Sequence, residues 1–127
     1  MNPVEYLSAV KSLLLDSPLI ARYQILREYE GLQKSYIRAR LTLTDENLLE
    51  FSEYIEPEAQ GQFKITDYSF QWMDKDGHQI RRWDNTPHFP KLENFPHHVH
   101  ISADDVVPGQ PMDIFGVLAE IEKTVGQ

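Results

Sequence analysis

From Leu19 to Asn85 apolar and polar residues alternate with a period of two, segment after segment, and that pattern limits the fold more than any other feature. A two-residue period sends successive side chains to opposite faces of an extended chain. Each segment then has one face to bury and one that can meet water, the signature of an antiparallel sheet. Leu19, Ala21, Tyr23 and Ile25 form one apolar set, and Ile37, Ala39, Leu41 and Leu43 form another. With Glu30-Gly31-Leu32 as a three-residue loop, Ile25 pairs with Ile37, Tyr23 with Ala39, Ala21 with Leu41 and Leu19 with Leu43. That hairpin has one wholly apolar face, whereas a two-residue loop would mix the faces. Leu49, Phe51 and Ile55 predict a third strand with Glu50, Ser52, Tyr54 and Glu56 outward, although Asp45 to Leu49 also reads as helix-forming. A fourth starts at Phe63 and Ile65 and resumes on the other phase at Tyr68, Phe70 and Trp72, a slip near Thr66-Asp67 that a bulge produces. Asp74-Lys75-Asp76-Gly77 reads as a hairpin turn into a fifth strand, Gln79 to Asn85.

Helical spacing flanks this region. Asn2 can cap a helix with Pro3 in its first turn and Glu5 completing a capping box, and Val4, Leu7, Val10 and Leu14 supply a stripe. Asp16-Ser17-Pro18 ends it. After Thr86, Pro87, Pro90 and Pro96 argue against a helix or a central strand, so residues 87–111 are expected to form a long Pro/His-rich loop. A last helix over 112–125 would bury Ile114, Val117, Leu118, Ile121 and Val125. The expected fold is α+β. An antiparallel meander of about five strands (19–86) carries an N-terminal helix (2–16) and a C-terminal helix on one face, as one domain spanning 1–127. A chain of 127 residues suffices for one such core.

Composition removes several function classes. Without cysteine there is no disulfide, thiolate zinc site, CxxC redox motif or cysteine nucleophile. The longest aliphatic run is Leu13 to Leu15 and no basic, apolar leader opens the chain, so the expectation is a soluble cytoplasmic protein with no membrane partner. Twelve basic against 20 acidic residues give a formal charge of −8, which opposes broad, non-specific binding of nucleic acid. The charge is segregated, however. Arg22, Arg27, Lys34, Arg38 and Arg40 lie in the first hairpin, while Asp45 to Glu58 holds six acids and no base. The preferred register sets Tyr36, Arg38 and Arg40 on one outward face, a candidate surface for RNA.

The densest chemistry lies in Arg81-Arg82-Trp83-Asp84-Asn85-Thr86-Pro87-His88 and Phe95-Pro96-His97-His98-Val99-His100. Imidazoles can move protons near neutral pH, and guanidinium forks grip phosphate. Together they hold the parts for RNA strand cleavage: a base for the 2′-hydroxyl, a cation for the phosphorane and an acid for the leaving oxygen. In this reading His88, His97, His98 and His100 are the candidate acid–base groups, with His97 or His98 foremost, and Asp84 orients an imidazole. Arg81, Arg82, Trp83, Asn85, Arg38 and Arg40 are the candidate substrate contacts. His98 and His100 would share a side of an extended segment and are the candidate metal ligands, but the spacing matches no zinc motif and no cofactor is expected. A loop that closes over the sheet, with its imidazoles bonded to backbone and Arg82 paired to Asp84, is the alternative without chemistry.

The run Tyr68-Ser69-Phe70-Gln71-Trp72, Asp76-Gly77, Ile80, Arg82 to His88, Pro90 and Phe95 to His100 resembles the TumE-type family, prokaryotic toxins of toxin–antitoxin modules. The resemblance covers most of the chain and implicates Arg82, Asp84, Asn85, His88, His97, His98 and His100. Many members read Pro-His-His-Pro where this chain has Pro87-His88-Phe89-Pro90. It implies a toxin-like protein, read here as a small metal-independent endoribonuclease. Its expected partners are an antitoxin with a helix-turn-helix domain, RNA and a second copy of the chain. A non-enzymatic interaction domain and a His-ligated metal-dependent hydrolase are the rival readings.

Overall fold

The computed structural model describes residues 1–125, the side chain of Val125 excepted, so its place in the apolar stripe lies outside the described residues. Helix α1 runs Pro3–Asp16 and starts as its sequence requires. The Asn2 side chain accepts from the Glu5 amide at 2.8 Å, and the Glu5 carboxylate accepts from the Asn2 amide at 3.1 Å. Its buried stripe is Tyr6, Leu7, Val10 and Leu14. Val4 is 57% exposed and Tyr6 takes its expected place, its ring against Phe63 and its hydroxyl on Glu53.

Strands β1 (Ile20–Glu30), β2 (Ser35–Leu43), β3 (Leu48–Pro57), β4 (Phe63–Met73), β5 (Gln79–Asp84), β6 (His98–His100) and β7 (Val106–Pro108) pair antiparallel in chain order, and α2 (Ile114–Val125) closes the described chain. The class is α+β, with seven strands rather than five. The two extra strands come from the Pro/His-rich segment. Its prolines Pro87, Pro90 and Pro96 all lie outside β6, leaving His98-Val99-His100 free to pair with β5 on one side and β7 on the other. Three residues carry too little alternation to announce a strand. Val99 packs toward the core, and the two histidines point away from it.

The first hairpin keeps its expected faces at Tyr23 and Ile25 but not its register. Irregularities at Ile20/Arg22 and Ile25/Arg27 change the phase on either side, so that Ile20 and not Leu19 pairs with Leu43. Ile25 pairs with Ala39 and Tyr23 with Leu41, two residues from the expected partners, and residues 31–34 make the turn. Over Tyr23 to Ile25 a shift of two preserves the faces, so burial there cannot choose between the registers and the turn decides. The Gly31 amide donates to the Lys34 carbonyl at 3.0 Å, an approach that a β-carbon at Gly31 would block at 2.6 Å from that oxygen. β1 is also less covered than a wholly apolar hairpin face implies. It is the sheet edge, and Tyr23 is 40% exposed.

The phase slip in β4 is a bulge. Tyr54 pairs with Asp67 and Ile55 with Ile65, which leaves Thr66 as the extra residue. Asn85 repairs the far side, accepting from the Tyr68 amide at 3.0 Å and donating to the Thr66 carbonyl at 2.9 Å. Its carboxamide imitates one more peptide of β5. Asn85→Ala is expected to cost about 1–3 kcal/mol in urea unfolding, because both β4 groups lose their partner.

One face of the sheet packs with the buried stripes of both helices in a single core. Across it run Ala39, Phe51, Phe70, Trp83, Val99 and Val107, each opposite the next. The neighbouring rows therefore fall on the other face. One is Arg38, Ser52, Ser69, Asp84 and His98, and the second is Arg40, Glu50, Gln71, Arg82 and His100. That open face is polar. No helix among the described residues is long and apolar enough to cross a membrane.

Candidate functional site

The two polar rows meet at β5 and β6. Asp84 is 3% exposed and His98 2%, although neither faces the helices, because Phe89 of the 87–97 loop covers them with its ring 5.0 Å from that of His98. Burial of a carboxylate is costly unless donors surround it, and here they do. Asp84 Oδ1 accepts from the Thr86 amide at 3.0 Å and lies 2.8 Å from His98 Nε2. Oδ2 accepts from Arg82 Nε at 3.0 Å and lies 3.6 Å from His100 Nε2. His98 is engaged on its far side too, with Nδ1 2.9 Å from the Pro96 carbonyl. A carbonyl only accepts, so Nδ1 carries a proton and Nε2 is the atom aimed at the carboxylate.

Beside this cluster lies a recess of about 270 Å³ lined by Gln79, Arg82, Asp84, Thr86, His88 and His100. A second recess of similar volume, about 270 Å³, lies toward β2, between Arg38, Glu50, Ser69, Gln71 and Arg82. Arg82 lines both. It uses Nε on Asp84 and keeps its terminal nitrogens for a ligand. His100 has its pKa lowered, chiefly by burial, with Asp84 opposing and His98, Arg82 and His88 adding to the fall. It is therefore a neutral ring at neutral pH.

The structure brings together Arg82, Asp84, His88, His98 and His100. Strand alternation separates the others. Arg81 is on the helix-side face, with its guanidinium 5.9 Å from the Trp83 ring, so it cannot share a phosphate with Arg82. Trp83 is buried in the core and has no face for a base. His97 also lies on the helix side, its Nδ1 2.8 Å from the Tyr68 hydroxyl, and burial lowers its pKa. Asn85 spends its amide on β4. Arg38 and Arg40 are on the open face as expected, but both reach Glu50, at 2.6 and 3.3 Å. The Arg38 contact holds the Glu50 carboxyl below its ordinary range. So one acid of the acidic run, Glu50, pairs with two arginines of the basic hairpin on this face.

Sequence reasoning missed Glu53, which is fully buried on the helix side. The signal was present: Leu49, Phe51, Glu53 and Ile55 share one phase, and a carboxylate interrupts it. Glu53 accepts from the Tyr6 hydroxyl at 2.6 Å and from the Ile114 amide at the start of α2 at 2.8 Å. It ties both helices to β3. Burial pushes its pKa up to about 7 despite those two donors, and Asp113 adds to the rise.

The model of one protein family, described as Toxin TumE, matches residues 10–127. No curated protein and no solved structure matches the chain.

Proposed function

The chain belongs to the TumE toxin family, the toxin half of a toxin–antitoxin module, and from that premise we propose that it acts as an endoribonuclease on the open face of its sheet. Membership implies an antitoxin partner, and we expect that partner to carry a helix-turn-helix domain. The observation that supports cleavage is the convergence of Arg82, Asp84, His88 and His100 on one recess from two strands and a loop, with His98 buried against Asp84. Arg82 takes the scissile phosphate and neutralises charge as the 2′-hydroxyl attacks. Two imidazoles line the recess, His88 from the loop and His100 from β6. Two are enough to accept the hydroxyl proton and to supply one to the leaving 5′-oxygen. Asp84 and His98 position them. His97 and Arg81 lie across the sheet and take no part.

The test is incubation of the purified chain with single-stranded RNA. New ends are expected on RNA but not on the same sequence with 2′-deoxyribose throughout; growth arrest without any new RNA ends would refute the reading. Binding should depend weakly on salt, because Arg38 and Arg40 are already tied to Glu50. Few phosphates are then neutralised, and a log–log slope of about −2 is expected from the counterions released. A fluorescence titration against ionic strength reads it.

A further inference from the structure

The Asp84–His98 contact poses a chemical problem. His98 holds its Nδ1 proton on the Pro96 carbonyl, so its other ring nitrogen, Nε2, is turned toward a carboxylate oxygen 2.8 Å away. A ring nitrogen and a carboxylate oxygen held that close are bridged by a cation, either a proton or a metal ion. His100 Nε2 is aimed at the same carboxylate from the next position on that face of β6. One ligand atom from each of Asp84, His98 and His100 lies within 4.8 Å of the others. We infer that these three residues form a binding site for one divalent transition-metal ion, with its open coordination position facing the recess. The inference rests on the endoribonuclease reading only for the use made of the ion, not for its binding.

Three observations support it beyond the clustering. The Nδ1–carbonyl hydrogen bond of His98 is the outer contact that fixes a ligating imidazole with its other nitrogen toward the metal. The site is shielded on one side by Phe89 and open on the other to the recess of about 270 Å³, so a fourth position is left for water or a phosphate oxygen. Two imidazoles and one carboxylate suit Zn²⁺, Co²⁺, Mn²⁺ or Fe²⁺ better than Mg²⁺ or Ca²⁺, which prefer oxygen alone. Zinc held at about 2.0–2.2 Å by each ligand needs neighbouring donors about 3.3 Å apart. With Oδ1 as the Asp84 ligand, the His98 pair therefore opens by about 0.5 Å from its present 2.8 Å, while His100 Nε2, now 3.6 Å from Oδ2, lies in the same cluster of ligand atoms within 4.8 Å of one another. Arg82 on Oδ2 opposes a dication, so the affinity expected is micromolar rather than that of a structural zinc. With an ion in place, His100 would act as a ligand, and a water on that ion would supply the proton transfer assigned to its ring above, so cleavage would still need His100.

The purified full-length protein is titrated with Zn²⁺ by calorimetry and with Co²⁺ by visible absorption, without RNA. One ion per chain is expected, with a Co²⁺ spectrum of low coordination number, and His100→Ala should weaken binding at least tenfold. His100→Gln serves in its place if the alanine variant loses its circular dichroism. His97→Ala should bind as the parent does. His78→Ala should also be unchanged, a necessary control because Asp74, Asp76 and His78 form a second, exposed cluster in the β4–β5 turn. Absence of saturable binding, binding unaffected at His100, or binding lost with His78 would each overturn the inference. No RNA enters this titration, so a failure of metal binding and a failure of RNA cleavage remain separate results.

Discussion

Glu53→Ala is expected to lower the unfolding free energy by about 3–5 kcal/mol, because it strands two buried donors and opens a cavity between three elements. The Tyr6 hydroxyl and the Ile114 amide have Glu53 as their partner, and neither can reach water. Glu53→Gln behaves differently, since a carboxamide can accept from the Ile114 amide and donate to the Tyr6 oxygen. The comparison between these two variants carries a pH dependence. The carboxyl pKa is about 7 in the fold, against an ordinary value of 4.5. The native state therefore holds this proton more tightly than the unfolded chain does. Its contribution is complete below about pH 4.5, is lost as pH rises to about 7, and is constant above, for a total of roughly 3 kcal/mol. His97 and His100, whose pKa values are lowered, act in the opposite sense, removing stability as pH falls below about 6.5. Asp113 and Tyr6 face Glu53 in both proteins and cancel in the difference. Urea unfolding at pH 5, 6, 7 and 8 should thus show Glu53→Gln gaining on the parent as pH rises. A difference that stays constant across that range would show that the carboxyl does not titrate there.

Arg82→Ala is expected to reduce RNA cleavage at least 100-fold while the protein remains folded, since the transition-state charge loses its nearest cation. Arg82→Lys should recover only part of this. A lysine can supply the charge but not one nitrogen for Asp84 and two more for phosphate. His100→Ala should fall by a similar factor through the loss of proton transfer at the recess. Arg81→Ala, by contrast, removes a cation stacked on Trp83 in the helix-side layer and should leave cleavage within a few-fold of the parent. Initial rates on one labelled RNA separate these outcomes.

The pattern that named the strands also held the information that sorts the site, up to a point. Alternation through Gln79 to Asp84 puts Arg81 and Arg82 on opposite faces, and the same rule separates His97 from His98. Adjacent residues of like chemistry invite a joint role that an extended chain forbids. The capping box at Asn2, the bulge at Thr66 and the Asp74–Gly77 turn were legible because each is a local signal with one structural solution. The register of the first hairpin was not, since a two-residue shift leaves Tyr23 and Ile25 on their face, and neither were the irregularities at Ile20/Arg22 and Ile25/Arg27. The Arg82–Asp84 pair and an imidazole held by Asp84 were also legible, but not that His98 and His100 are the rings that meet it, which depends on β6 pairing with β5 across the intervening 87–97 loop. Charge runs misled for a similar reason. Of the six acids between Asp45 and Glu58, Glu53 lies in the core and Glu50 is shared by Arg38 and Arg40. The net charge of −8 therefore describes neither face.

The chemistry proposed resides on the open face of the sheet and not on the helix side. Expression of the toxin without its antitoxin, followed by sequencing of total-RNA ends, compares the faces directly through Arg82→Ala and His97→Ala. The parent and His97→Ala should produce the same set of new ends, and Arg82→Ala should produce none. An undiminished set of ends from Arg82→Ala, or their loss from a folded His97→Ala protein, would contradict it.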